Sequence, residues 1–195
     1  MKSESRVISI MMLIVGLGNP GKDYESNRHN IGFIILDKFT EILDRKTQYH
    51  KFNSLVIESY YDEKKIVLLK PLTFMNNSGI AVSAVHDSFN KNVESILIIH
   101  DDLDIDFGEI RLKLGGGTGG HNGLESIVRR FEELEFDRLR FGIGRPPGRK
   151  SASKFVLSNF KKSEIDDVEI NVVKAVDAIK DYITYGVQYC MNKYN

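Results

Sequence analysis

The sequence has few of the features that mark secreted or membrane proteins. Cys190 is its single cysteine, so no disulfide can form within the chain. No apolar run approaches the length that spans a bilayer, and neither a secretory signal nor a small-residue cleavage site is visible. These absences predict a cytoplasmic protein that has no membrane partner.

The chain also lacks net charge, because 27 basic residues balance 27 acidic ones. A neutral protein is not expected to bind nucleic acids indiscriminately. The charges are unevenly distributed, however: residues 101–109, "DDLDIDFGE", are strongly acidic, whereas residues 138–154 carry only basic charges. These basic residues are Arg138, Arg140, Arg145, Arg149, Lys150 and Lys154. A local phosphate-binding surface and a solvated loop both fit this segment.

Strand-like and helix-like segments alternate along the chain. The predicted strands cover residues 12–15, 54–61, 64–70, 95–100, 109–114 and 138–144. The predicted helices cover residues 31–43, 77–89, 121–134 and 163–190. This alternation predicts a single-domain α/β sandwich, with a twisted mixed sheet flanked by helices. Residues 1–11 carry no pattern and are expected to be a disordered extension, whereas residues 12–195 are expected to form one catalytic domain with a C-terminal helix.

The first strand leads into glycines with the spacing of a dinucleotide-binding turn. Gly16, Gly18 and Gly21 fit G-x-G-x-x-G, which brings a pyrophosphate onto the start of a helix. Here Pro20 lies inside the motif, and a polar interval delays the helical pattern. The context of a nucleotide turn is therefore missing, and the glycines are interpreted as a sharp turn that brings Asn19 into a cleft.

Histidines beside the predicted strand ends are candidates for a general base. His29 lies in the loop after the first strand, and His100 and Asp101 end the strand at 95–100, while His121 follows the glycine-rich stretch. A histidine is an effective base when a carboxylate fixes its tautomer. His29 and Asp101 would form such a pair if their strands are neighbours, and a structural histidine is the competing interpretation.

Other chemistries have weaker support in the sequence. A calcium loop starting at Asp102 would need glycine where Phe107 stands and glutamate where Lys113 stands. A metal-dependent hydrolase built on His100, Asp101 and Asp104 stays open. The stretch at 115–120, "GGGTGG", lacks the ending of a P-loop, although it could approach an anion or be a flexible turn.

Two asparagines precede the predicted helix at 77–89. Asn77 stands where a helix cap is expected. Asn76, which follows the apolar residues Phe74 and Met75, has no such structural explanation.

Four segments together resemble the bacterial-type peptidyl-tRNA hydrolases. They are "LIVGLGNPGKDYESNRHNIGF" (13–33), "KPLTFMNNSG" (70–79), "HDDLDIDFGEIRLKLGGGTGGHNGL" (100–124) and "RLRFGIGRP" (138–146). They follow the order and spacing of that family between residues 12 and about 160, and the glycine-rich run that ends in His-Asn-Gly-Leu is unusually specific. Thr118 occupies a position that looks variable in the family, and the N-terminal extension is atypical of it.

The resemblance implies a monomeric enzyme that needs no metal or other cofactor. It implies hydrolysis of the ester between a peptide and the 3′-terminal ribose of tRNA, which recycles tRNA from prematurely released peptidyl-tRNA. By position, His29 matches the catalytic base, Asp101 the carboxylate that supports it, and Asn19 the residue that distinguishes peptidyl-tRNA from aminoacyl-tRNA. Contacts with the tRNA acceptor end or the peptide are implied for Tyr24, Phe74, Asn76 and Asn122.

The residues agree with this chemistry. Ester hydrolysis needs a water, a base and donors for the oxyanion, and the absence of a nucleophilic Ser or Cys motif favours direct attack by water. The basic segment is then expected to contact tRNA phosphates. The candidate contacts are Lys113, Arg140, Arg145, Arg149 and Lys150. A metal-dependent phosphoesterase and a non-catalytic RNA-binding module are the two rival classes.

Overall fold

A mixed β-sheet forms the centre of the protein. The computed structural model describes residues 11–89, 92–131, 135–149 and 151–195. The strands are β1 (Met11–Gly16), β2 (Lys46–Lys51), β3 (Ser54–Tyr61), β4 (Lys64–Pro71), β5 (Val93–Asp102), β6 (Ile110–Leu114) and β7 (Asp137–Gly142). Within these residues the seven strands have the order β2-β3-β4-β1-β5-β7-β6. Strands β4, β1, β5 and β7 are parallel, whereas β2, β3 and β6 pair antiparallel with their neighbours.

Helices cover both faces of the sheet. They are α1 (Ile31–Glu41), α2 (Ser78–Ser88), α3 (Asn122–Val128), α4 (Ala152–Val156) and α5 (Ile165–Tyr194). Ile14 of β1 packs in the apolar cluster of α1 and α5, whereas its neighbours Leu13 and Val15 pack in the cluster of α2 and α3. Successive side chains of a strand point to opposite faces, so a central strand between two helical layers is apolar at every position. Each such buried side chain contributes about 1.5–3 kcal/mol.

The α/β class and the mixed sheet predicted from the sequence are confirmed. The hairpin expected over residues 54–70 is the antiparallel pair of β3 and β4. Met11 already belongs to β1, one residue before the predicted strand, and the rest of the expected N-terminal extension lies outside the described residues. None of the described helices is long and apolar enough to cross a membrane.

Three elements differ from the sequence-based expectation. The helix predicted over residues 121–134 is wrong in length: α3 ends at Val128, where the amide of Arg130 bonds to the carbonyl of Ile127 and tightens the last turn. Strand β2 was not predicted, because its exposed side chains show no apolar alternation. Helix α4, capped by the Ser151 hydroxyl, interrupts the basic segment that the sequence presents as a loop.

Candidate active site

The topology of the sheet places two loops at the same edge. Strands β1 and β5 are parallel neighbours, with Gly16 opposite Ile99. The chain therefore leaves both strands at the same edge, where ligands bind in parallel α/β sheets. The loop after β1 carries Asn19 and a 3₁₀ turn, Arg28–Asn30, while β5 ends in His100, Asp101 and Asp102.

Glycines allow these loops and the start of α1 to lie against the sheet. A Cβ added to Gly16 would lie 2.3 Å from the carbonyl oxygen of Gly32, and one added to Gly32 would lie 2.5 Å from the carbonyl oxygen of Ile99. A Cβ at Gly18 would overlap the ring of Phe33 at 2.6 Å. The first two glycines of the motif are thus required for packing. Gly21 is followed by a short 3₁₀ turn, Lys22–Tyr24, and α1 begins only at Ile31, so α1 does not present its start to a pyrophosphate at this turn.

His29 and Asp101 form a buried pair at this edge of the sheet. Nδ1 of His29 lies 2.7 Å from Oδ1 of Asp101, and the two residues are 6% and 3% exposed. Burial alone would raise the pKa of Asp101, but the charges and hydrogen bonds of His29 and His121 outweigh it and hold this pKa well below its usual range. The ionised carboxylate accepts a hydrogen bond from the protonated Nδ1 of His29. Nε2 of His29 therefore keeps a free lone pair.

His121 is a second histidine on the same carboxylate oxygen. Its Nε2 lies 3.0 Å from Oδ1 of Asp101, while its Nδ1 accepts from the amides of Gly123 at 3.1 Å and Leu124 at 3.3 Å. The sequence places this histidine after the glycine-rich stretch but indicates no partner for it. The available signal was its position just before a helix, where a residue that accepts from backbone amides is expected.

His100 is a structural histidine. Its Nδ1 donates to the backbone oxygen of Asp101 at 2.7 Å, and its ring lies 5.0 Å from that of His121. Burial, together with the nearby His121, lowers the pKa of His100 to about 3. It therefore stays neutral in the physiological range and does not serve as the base.

Three of these groups are close enough to hold a metal ion, but their hydrogen bonding opposes it. Ligand atoms of His29, Asp101 and His121 all lie within 4.8 Å of one another. A metal on Nε2 of His121 would require the proton to move to Nδ1, where it would face the two amide donors of α3. The alternative set of His100, Asp101 and Asp104 does not assemble, because the carboxylate of Asp104 binds Arg145.

The amide of Asn19 has a fixed orientation. Its Oδ1 accepts from the backbone amide of Met75 at 2.8 Å. The backbone of Asn19 makes two further bonds to the side chain of Asn30, each 2.9 Å long. Because Oδ1 faces Met75, Nδ2 is directed away from it, and among the described residues Nδ2 has no hydrogen-bond acceptor. Asn19 thus offers a held N–H donor in the cleft.

Asn76 and Asn122 line a groove of about 590 Å³ between α2 and α3. The two helices approach closely at Gly79, whose amide donates to Oγ of Ser126 at 3.0 Å. The cap expected from Asn77 is wrong: this residue precedes α2, but its side chain makes no capping hydrogen bond. The other lining residues of the groove are Asn77, Ile80, Glu125, Ser126, Arg129 and Arg130.

Tyr24 and Phe74 form an aromatic pair beside these asparagines. Their rings meet edge to face, with centroids 6.1 Å apart, and Phe74 is 54% exposed. Phe74 has a φ of 54°, a left-handed conformation that a bulky residue rarely adopts. Such backbone strain persists only where the surrounding structure enforces it. Here the strained backbone holds the apolar ring of Phe74 in solvent, next to the turn that carries Asn76.

The basic residues divide into paired and free groups. Arg138 is buried and donates to the carbonyls of Gly115 and Gly117, so it supports the glycine-rich loop. Arg140 binds Asp102 at 2.8 Å, and Arg145 binds Asp104. Lys113 and Arg149 are exposed, whereas Lys150 lies outside the described residues. Part of the basic segment therefore neutralises the acidic segment.

Known proteins of one family are similar to this chain along nearly its whole length. A family model described as peptidyl-tRNA hydrolase matches residues 13–195. The peptidyl-tRNA hydrolase of Thermoanaerobacter sp. (strain X514) is 42% identical over 185 residues, which are 95% of this chain and 100% of that protein. That of Listeria welshimeri is 43% identical with the same coverage. The crystal structure of the Acinetobacter baumannii enzyme superposes with a TM-score of 0.86 at 35% identity, covering 96% of this chain and 95% of that one. The chain belongs to the peptidyl-tRNA hydrolase family.

Proposed function

We propose that His29 is the base with which this chain activates water to cleave peptidyl-tRNA. Family membership sets the reaction as hydrolysis of the ester bond in peptidyl-tRNA. The observation that carries the proposal is the 2.7 Å contact between Nδ1 of His29 and Oδ1 of Asp101. It leaves Nε2 of His29 free to accept a proton, and it places a buried negative charge where the imidazolium would form.

The reaction then needs no covalent enzyme intermediate. Water attacks the ester carbonyl carbon while Nε2 of His29 takes one of its protons, and a tetrahedral oxyanion forms. As the oxyanion collapses, the bond to the ribose oxygen breaks, and that oxygen receives the proton from the imidazolium. The products are a peptide with a free carboxylate and a tRNA with a free terminal ribose hydroxyl. Between the uptake and the return of this proton, the negative charge of Asp101 stabilises the His29 imidazolium.

Asn19 would distinguish peptidyl-tRNA from free aminoacyl-tRNA. A peptidyl group carries an amide on its last residue, whose carbonyl oxygen accepts a hydrogen bond from the held Nδ2 of Asn19. Free aminoacyl-tRNA carries an ammonium group instead, which has only donors and would meet another donor. The orientation of Nδ2 rests on the Met75 amide that occupies Oδ1, 2.8 Å away. A site built to donate to one substrate rejects the analogue that lacks the acceptor.

The remaining cleft residues would bind the two ends of the substrate near the ester. The amides of Asn76 and Asn122 donate and accept without charge, which suits contact with a peptide backbone, a ribose or the oxyanion. The exposed ring of Phe74 and the partly exposed ring of Tyr24 offer surfaces on which the terminal bases of tRNA can stack. These roles are supported by their common position around the edge where β1 and β5 end.

Lys113, Arg140, Arg145, Arg149 and Lys150 would contact phosphates of the acceptor arm. Two of them are paired with acidic residues, so the exposed Lys113 and Arg149 are the stronger candidates among the described residues. The enzyme would act as a monomer in the cytoplasm, without a metal or another cofactor. The hydrogen bonding of His121, which opposes a metal on the catalytic cluster, supports that chemistry.

The proposal is tested by release of an N-blocked amino acid from N-blocked aminoacyl-tRNA, with and without EDTA. We expect turnover that EDTA does not affect, and a loss of about 10²–10⁴-fold in His29→Ala, because a general base typically contributes this much. Binding of tRNA should change little. His86→Ala, at a partly buried histidine of α2 that does not contact Asp101, is the matched control and should be active.

Three results would contradict the proposal. Loss of activity in EDTA would indicate a metal-dependent hydrolase, and binding of tRNA without turnover would indicate an RNA-binding module. Turnover of His29→Ala within a few-fold of the unsubstituted protein would exclude His29 as the base.

A further inference from the structure

One carboxylate oxygen of Asp101 receives two imidazole groups. Oδ1 lies 2.7 Å from Nδ1 of His29 and 3.0 Å from Nε2 of His121. The side chains are buried, with exposed fractions of 7% for His29, 9% for His121 and 2% for Asp101. The rings of the two histidines lie 4.8 Å apart. Because both histidines share this oxygen, a change in the hydrogen bond from His121 also changes the acceptor that orients His29.

The start of α3 determines where His121 carries its proton. Nδ1 accepts from the amides of Gly123 and Leu124, so it must hold a lone pair. A neutral imidazole has its proton on the other nitrogen, and Nε2 is therefore a donor to Asp101. His121 thus connects the first turn of α3 to the catalytic carboxylate through a single side chain.

We propose that His121 is a positioning residue, which holds the Asp101 carboxylate in the orientation that aligns His29. This inference rests on the proposed role of His29 as the base. Both histidines contact the same oxygen, Nδ1 of His29 at 2.7 Å and Nε2 of His121 at 3.0 Å. A base must be held close to its productive geometry, and a displacement of about 1 Å can cost as much as 10²-fold in rate.

The surrounding charges are otherwise compensated. On β5, His100 is kept neutral by burial, and Asp102 is paired with Arg140 of β7 at 2.8 Å. The Asp101 carboxylate is thus the charge that His121 contacts directly. A donor on Oδ1 stabilises the carboxylate and weakens its attraction for a proton on His29, so removing that donor should favour protonation of His29.

Two substitutions separate the two ring nitrogens of His121. In His121→Asn the amide reaches the position of Nδ1, so an acceptor for the α3 amides remains while the donor to Asp101 is lost. In His121→Gln the longer amide reaches the position of Nε2, so the donor to Asp101 remains while the cap is lost. His86→Asn is the matched control, because His86 also contacts a carboxylate, that of Asp87 on α2, at 3.2 Å, and lies outside the His29–Asp101–His121 group.

The experiment measures kcat, KM and the pH–rate profile on N-blocked aminoacyl-tRNA, and the melting temperature of each variant. We expect His121→Asn to keep its melting temperature and KM, to lose up to about 10²-fold in kcat, and to shift the acidic limb to higher pH. His121→Gln should melt at lower temperature yet keep most of kcat. His86→Asn should match the unsubstituted protein. An NMR spectrum of the ring nitrogens should show a changed environment of His29 in His121→Asn without relying on turnover.

The inference is overturned if His121→Asn retains both kcat and the position of the acidic limb. It is also overturned if His121→Asn fails to fold, since the bond to Asp101 would then serve the fold and not the base. Inclusion of His29→Ala separates this result from a failure of the proposed function. If His29→Ala stays active, the assignment of the base is wrong, whereas an inactive His29→Ala beside a fully active His121→Asn removes the positioning role alone.

Discussion

Nδ1 of His29 and Oδ1 of Asp101 lie 2.7 Å apart, although the two residues are separated by 72 positions in the sequence. Their contact depends on the parallel pairing of β1 with β5, which brings the loop of one strand beside the end of the other. Because the pair is buried, the carboxylate interacts with the imidazole more strongly than it would in water. The order of the strands in the sheet therefore brings the imidazole of His29 and the carboxylate of Asp101 together.

Asp101→Asn should weaken catalysis and move the acidic limb of the pH–rate profile to lower pH. The ionised Asp101 favours protonation of the neighbouring imidazole, and a neutral amide does not. With the negative charge gone, the base stays unprotonated to lower pH, but its imidazolium is less stable in the transition state. The measurement is kcat/KM against pH, with Asp87→Asn as the control for an exposed His–Asp pair. An unchanged limb together with unchanged turnover would show that Asp101 does not support the base.

The core of this site was predictable from the sequence because its residues follow strand ends. Asn19 and Asp101 lie just beyond apolar runs, His29 lies in the loop that follows the first of these runs, and parallel strands end at a common edge. The second bond to Asp101 was not predictable, since it depends on how the glycine-rich loop folds back over β5 to bring His121 there. Nothing in the local pattern of residues 115–122 specifies that path.

The ion pairs of the basic segment, residues 138–154, were likewise not predictable from the sequence. The sequence presents residues 138–154 as a continuous positive surface, but Arg138 points into the glycine-rich loop, and Arg140 and Arg145 bind acids that follow β5. Pairings between distant charged segments depend on tertiary structure, so charge counting alone overestimates the free positive surface. Strand β2 was missed for a related reason: it is an edge strand held by its backbone bonds to β3, and its side chains lack alternation.

His100→Asn should make the stability of the protein less sensitive to acid. Burial and the neighbouring His121 lower the pKa of His100 to about 3 in the folded state, whereas an unfolded histidine titrates at about 6.5. The unfolded chain therefore binds the extra proton first, and this group makes the fold lose stability as pH falls from about 6.5 towards 3. The slope approaches about 1.4 kcal/mol per pH unit.

The amide of asparagine can keep the donor that Nδ1 of His100 provides to the Asp101 backbone. Urea unfolding at several pH values between 4 and 7 measures the effect, and His86→Asn, at a histidine that is only partly buried, serves as the control. A slope in His100→Asn as steep as that of the unsubstituted protein would mean that His100 does not carry this dependence.

Gly79→Ala should destabilise the protein even though alanine is the better helix former. Replacing glycine by alanine within a helix gains up to about 1 kcal/mol from propensity. A Cβ at Gly79, however, would lie 2.0 Å from the backbone oxygen of Ser126 in α3, and a backbone cannot rotate away as a side chain can. The overlap should dominate, with a net cost of about 1–3 kcal/mol. Denaturant unfolding checks the sign, with Gly117→Ala as control, because a Cβ there meets nothing within 4 Å.

The substitution should also raise KM, because separating α2 from α3 moves Asn76 relative to Asn122 across the groove. Unchanged stability in Gly79→Ala would show that α2 and α3 can move apart at little cost in free energy. The groove between them would then not be rigid.

We expect this protein, which has no net charge, to hold tRNA through a few local cations. Each phosphate contact releases condensed counterions, so binding that uses a few local cations weakens moderately as salt rises. Arg149 is exposed and has no hydrogen-bond partner among the described residues, while Lys150 follows it outside them. Replacing both by Ala should raise KM for tRNA substrates and flatten the salt dependence, with kcat nearly unchanged. Lys162→Ala with Lys174→Ala removes the same charge from exposed positions near and on α5 and should have a smaller effect.

A minimal substrate, a peptide ester of a single nucleoside, completes this test because it lacks the phosphates of the acceptor arm. The Arg149 and Lys150 double variant should hydrolyse it as fast as the unsubstituted protein does, since the base, the carboxylate and the asparagines are untouched. Steady-state kinetics on both substrates over a range of salt concentrations measures the difference. Equal losses on the minimal and full substrates would place these two residues in the catalytic site or the fold, and phosphate binding by this segment would be excluded.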